Sequence, residues 1–162
     1  MGGQTTLAFW QLLLLSVGPA FLTACVALGA PLLLEGRKQD AEKRKKRGEK
    51  LEELIAALYE LSHWLDKNKS INVFGKDLDL ELTPLSKIEA ITSIYFPQYK
   101  PTVAILSLRA EEYNLWTVQA GQKRLNKEAN FTENFKEVYT PYATALTKLK
   151  DELTSFGQKE FG

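Results

Sequence analysis

The chain opens on a run in which no side chain is charged. From Leu7 to Leu34 the only strongly hydrogen-bonding side chains are Gln11, Ser16 and Thr23. At about 1.5 Å per helical residue, a 20-residue part of such a run crosses the hydrocarbon core of a bilayer. The pattern predicts a transmembrane helix over residues 7–34, after a short external N-terminus of residues 1–6. Trp10 suits the headgroup level, Gly18-Pro19 a kink and Pro31 an exit.

Beyond Glu35 the periodicity changes. Leu51, Leu54, Leu58, Leu61 and Leu65 alternate three and four apart, which predicts an amphipathic helix to about Asn68. Its seam is of coiled-coil type, but two heptads are short for a coiled coil, and one helix of a bundle is the preferred reading. Extended backward, the register places Arg44 and Arg47 on the seam, so residues 35–50 read as a basic stalk. Residues 69–83 read as a connection, in which Leu78, Leu80 and Leu82 alternate with Asp77, Asp79 and Glu81. A period of two suits a strand, and Ile71 to Phe74 would pair with it across Gly75-Lys76-Asp77 as a small hairpin over 71–82.

Three further helices follow. Thr83-Pro84 is a start signal for a helix to about Tyr95, with Leu85, Ile88, Ile91 and Tyr95 on one face. Pro101-Thr102 opens a helix to about Asn126, whose stripe of Val103, Leu106, Ala110 and Tyr113 is widened by Ile105, Leu108, Leu115 and Trp116, so a well-covered central helix is expected. The last begins near Thr132, with Phe131 and Phe135 as a staple, and carries Val138, Tyr142, Leu146, Leu149, Leu153 and Phe156. Pro141 should bend it and Gly157 should end it. The expected fold is all-α: one membrane helix, a long basic and amphipathic helix, and an antiparallel helical bundle over residues 51–162. The aromatic residues Tyr95, Phe96, Tyr99, Tyr113, Trp116, Phe135, Tyr139 and Tyr142 are expected in its core.

Charge sets the orientation. Arg37, Lys38, Lys43, Arg44, Lys45, Lys46, Arg47 and Lys50 stand against Asp40, Glu42 and Glu49, a net +5 directly after the apolar run. The positive-inside rule then puts the N-terminus outside and the bundle in the cytoplasm of a plasma or inner membrane. Beside a bilayer these eight cations suit contact with anionic headgroups, each contributing roughly 1 kcal/mol near such a surface. Residues 51–162 are net −3 and lack base-reading motifs, so no nucleic-acid partner is expected. Within the span, Ser16, Ala20, Ala24 and Ala27 share a narrow face that allows close helix approach in lipid. With the leucine seam, this face predicts a weak homo-oligomer.

The compartment has competing readings. Leu22-Thr23-Ala24-Cys25 fits a bacterial lipoprotein signal, making the chain an envelope lipoprotein lipidated at Cys25, although Met1 to Gln11 lack a positive n-region and the apolar run continues past the cysteine. Met1-Gly2-Gly3-Gln4-Thr5-Thr6 matches a short myristoylation pattern, and Ala24 or Ala27 could serve a signal peptidase.

Catalytic chemistry finds little to use. One Cys and one His do not make a metal site of the usual ligand count, and no glycine-rich phosphate loop occurs, so neither metal nor cofactor is expected. Ser62, His63 and Asp66 lie together, but Ser62 points about 100° away from its neighbour on a helix, so no nucleophile, base and orienter align. Ser62-His63 after a membrane helix is similar to the phosphoacceptor helix of sensor histidine kinases, over two residues only. Trp64, Leu65 and Asp66 stand where that motif continues with an acidic residue, an Arg and a Pro. Asn130-Phe131-Thr132 is a glycosylation sequon, inert on a cytoplasmic domain. The reading that results is a non-enzymatic, membrane-anchored interaction module: a subunit, tether or scaffold of a membrane assembly. The alternatives are the lipoprotein and a sensor that couples the membrane helix to a cytoplasmic partner.

Overall fold

The computed structural model describes residues 4–161, and of 4–34 and 36 the backbone alone. All regular structure among these residues is helical: α1 (Gln4–Phe74), α2 (Leu85–Tyr95), a 3-10 turn (Pro97–Tyr99), α3 (Lys100–Leu125) and α4 (Phe135–Phe161). Two compact units divide the chain, Met1–Lys46 and Arg47–Gly162. The expected span Leu7–Leu34, with Ser16, Ala20, Ala24, Ala27 and Cys25, lies outside the residues whose side chains are described. Among those that are described, no helix is long and apolar enough to cross a membrane.

In the second unit the four helices run alternately up and down. Glu53 and Glu60 of α1 meet Lys87 of α2, and Ser107 of α3 donates to Glu89 of α2. The Tyr113 ring of α3 stacks on Tyr142 of α4, Trp116 meets Phe135, and Thr102 donates to Glu152 at 3.4 Å, an antiparallel register. The core follows the leucine and α4 stripes that the periodicity marks out, but Tyr139, expected inside, is exposed because it lies off the buried stripe of α4. Leu51, Leu54, Leu58, Leu61 and Leu65 from α1 are buried against Val103, Leu106, Ala110 and Tyr113 from α3 and Tyr142, Leu146, Leu149 and Leu153 from α4. Each such leucine contributes roughly 1.5–3 kcal/mol by leaving water.

One layer of this interface is polar. Asn68 is buried and donates through Nδ2 to Asn114 Oδ1 and to Thr117 Oγ1, while Asn72 Nδ2 donates to Asn68 Oδ1 at 2.7 Å. Because these groups satisfy one another across α1 and α3, sliding either helix by a turn would strand buried amides, which holds the register. Just beyond it the helices touch backbone to side-chain position at Gly121.

Several boundaries depart from expectation for physical reasons. The first helix runs past Asn68 to Phe74 and stops at Gly75, whose φ of +68° is the left-handed form that glycine adopts without strain; its N–H donates to the Ile71 carbonyl and that of Lys76 to Ser70. The hairpin over 71–82 does not form. Ile71 to Phe74 are spent in α1, so the alternating segment after Gly75 has no strand among the described residues to pair with. Thr83 Oγ1 accepts weakly from the Leu85 N–H at 3.4 Å as α2 begins. Helix α4 starts at Phe135 and not at Thr132, because Asn134 takes φ +62° and Trp116 Nε1 holds the preceding turn by donating to the Glu133 carbonyl at 2.9 Å. Gly157 does not end α4, which continues to Phe161; its missing side chain instead admits Leu51, whose Cδ2 would lie 2.9 Å from a methyl there. Pro141 sits inside α4. Finally, α3 is not covered on all sides: Trp116 is buried, but Ile105, Leu108 and Leu115 are exposed.

Candidate functional site

The eight cations proposed for a membrane surface separate into two groups. Arg37, Lys38, Lys43, Arg44, Lys45 and Lys46 are exposed along the first unit, where Lys43 lies 3.9 Å from Asp40. Arg47 and Lys50 belong to the bundle instead. The Arg47 guanidinium lies 5.1 Å from the Phe156 ring centroid and 5.6 Å from that of Phe96, so the cation that the register places on the seam is accommodated by two aromatic faces. Lys50 Nζ is 2.5 Å from Glu53 Oε2; that bond raises the lysine pKa and lowers that of the glutamate.

The seam leucines are placed inside the same unit. Leu54, Leu58 and Leu61 are fully buried and Leu51 and Leu65 nearly so, so the helix association they make is with α3 and α4 of their own chain.

His63 is exposed, and Asp66 is held by Lys69 at 3.2 Å, so the structure does not bring Ser62, His63 and Asp66 together as a reacting set. Among the described residues no cluster of three His, Cys, Asp or Glu side chains is gathered. The most perturbed groups are phenols. Burial pushes Tyr113 well above the ordinary tyrosine range and Tyr142 up to about 12, the latter against a smaller opposing pull from Ser62. Among the described residues the Tyr113 hydroxyl has no hydrogen-bond partner. Tyr113 is packed among Trp116, Phe135 and Tyr139, and Tyr142 against Tyr113 and Tyr139, where both act as core.

What the bundle offers outward is apolar surface. On α3, Ile105, Leu108, Leu115 and Val118 are 54%, 52%, 58% and 39% exposed. At about 100° per residue Ile105, Leu108 and Leu115 lie opposite the buried face of Val103, Leu106, Ala110 and Tyr113, and Val118 lies at its flank. Glu111 and Glu112 lie within this face between Leu108 and Leu115, and Arg109, 2.7 Å from Glu112, lies at its edge. The widening that suggested a central helix is therefore a second apolar face on an outer one, a distinction periodicity alone cannot make. A second surface is an open groove of about 590 Å³, between the end of α1 and the start of α4, lined by Val73, Phe74, Trp116 and Phe135 with Lys69 and Lys136 at its margin. No family model, curated protein or solved structure matches the chain.

Proposed function

We propose that this chain is a single-pass, membrane-anchored interaction module, a non-enzymatic subunit or tether whose helical bundle presents a binding face to a partner protein. The observation that carries the reading is the double-faced α3. With one apolar face in the core, this helix leaves Ile105, Leu108, Leu115 and Val118 exposed among the described residues. Large aliphatic side chains gathered on one exposed helix face, interspersed with Glu111 and Glu112, are the kind of surface that a protein partner covers. The uncharged run Leu7–Leu34 and the exposed cations of residues 37–46 support anchorage with the bundle on the cytoplasmic side.

The test is purification of the full chain in mild detergent from the membranes in which it is made, with the particle mass measured. A complex larger than one chain and its micelle is expected. Leu108→Lys with Leu115→Lys should reduce it to the monomer while leaving the bundle's melting temperature unchanged, because both side chains already face water. A monomer from the unaltered chain, or a complex indifferent to the double change, overturns the reading.

A further inference from the structure

The segment between Gly75 and Thr83 combines two independent features. Its sequence, Asp77-Leu78-Asp79-Leu80-Glu81-Leu82, has strand periodicity, acids on one face and leucines on the other. Its backbone is unpaired: from Asp77 to Leu82 the one hydrogen bond within the described residues is that of the Glu81 carbonyl, which accepts from Trp64 Nε1 at 2.6 Å. The leucines are not sheltered either, with Leu78 43%, Leu80 41% and Leu82 95% exposed. Unpaired N–H and C=O groups on a segment with strand alternation form a template for pairing with another strand.

We propose that residues 77–82 bind a partner protein by adding a strand to an open sheet edge that carries basic side chains. In an extended strand the N–H and C=O of one residue point to the same edge, and those of the next residue to the other. Once the segment is extended against a partner, the Trp64 bond to Glu81 directs the edge of Asp77, Asp79 and Glu81 toward α1 and leaves that of Leu78, Leu80 and Leu82 open. Main-chain bonds along the open edge supply affinity; cross-strand pairs supply selectivity, apolar residues opposite the leucines and cations opposite the acids. A second copy of the segment fits poorly, since it would lay acids against acids in a two-stranded ribbon that is marginal in water. This surface is separate from the α3 stripe and goes beyond the reading built on it, so either can fail alone.

The experiment places a photo-reactive residue at Leu82 in the full chain, irradiates native membranes and maps the product by mass spectrometry. The expected product joins residue 82 to an edge strand of a partner. Leu80→Pro, or Leu78→Pro as a second variant on the same edge, removes a ladder N–H and should lower the yield about tenfold, the loss of roughly one hydrogen bond and its neighbour's alignment. Asp79→Pro, on the edge facing α1, should leave most of the product. All three should melt with the unaltered chain, because the segment's backbone contributes no hydrogen bond that these prolines remove. Equal loss in the two kinds of proline variant, a product on a helix, on lipid or on a second copy, or no product at all overturns the proposal.

Discussion

Gly121 of α3 faces the backbone of Asn72 in α1 so closely that a methyl group on it would stand 2.7 Å from the Asn72 carbonyl oxygen. A carbonyl in a helix cannot rotate aside, so the two helices would have to part. Gly121→Ala is expected to destabilise the bundle by about 1–3 kcal/mol, the usual cost of overpacking, despite alanine's better helix propensity. Gly48→Ala is the control: its methyl would meet the Phe161 ring at 3.8 Å, an ordinary contact. That change should stabilise by up to about 1 kcal/mol. Thermal melts of the two variants check the pair, and equal shifts would mean the α1 and α3 backbones are not in contact.

Alkaline stability should report the buried phenols. An unfolded tyrosine loses its proton near pH 10, whereas Tyr142 holds its proton to about 12 and Tyr113 is raised further. A group whose folded pKa is raised contributes fully below the unfolded value and loses that contribution as the pH climbs toward the folded one. The melting temperature should therefore lose nothing to these groups below about pH 9 and fall above about pH 10, with Tyr142→Phe flattening part of the fall. Ultraviolet titration should show Tyr113 and Tyr142 ionising only as the bundle unfolds; all six tyrosines titrating together in a folded chain would contradict their burial.

Adjacent positions on α4 should respond differently to the same substitution. Leu149 is fully buried, and Leu149→Asp places an unpaired charge in the core at a cost of several kcal/mol. Lys150 lies at the edge, its ammonium 3.6 Å from the Tyr59 ring centroid and its pKa lowered by partial burial. Lys150→Asp should cost about 0.5–1 kcal/mol through the lost cation–π contact. Urea unfolding separates the two, and equal midpoints would mean the stripe is misplaced.

Orientation has a direct readout. With a net +5 after the apolar run, a reporter fused after Gly162 should be active only in its cytoplasmic form. Alkaline phosphatase activity from the same fusion would reverse the assignment.

Where the sequence could be read, one helical period governed the outcome. The leucines from Leu51 to Leu65 and the stripe from Tyr142 to Leu153 are buried as their spacing requires. Burial of one face says nothing of the other, which is why Ile105, Leu108 and Leu115 were expected inside and stand in water. Glycine was ambiguous in the same way, because a stop signal and a close approach use the same residue: Gly75 ends a helix, while Gly157 makes room for Leu51 within one. The Asn68 layer was hidden because Asn68 and Asn72 look like helix breakers; their four-residue spacing, matched by Asn114 and Thr117 three apart, was the available signal. For the outward surfaces no comparable pattern exists in one sequence, since what covers them belongs to another molecule.

The bond from Trp64 to the Glu81 carbonyl also gives the protein an optical handle. An indole that is half exposed beside a solvent-facing segment emits according to how much water reaches it. If a partner settles over residues 77–82, that water leaves and the emission of Trp64 moves to shorter wavelength, while Trp116, buried with its N–H already bonded to Glu133, stays dark to the event. Native fluorescence, with Trp64→Phe as the blank, thus follows occupancy of that segment in real time without a label.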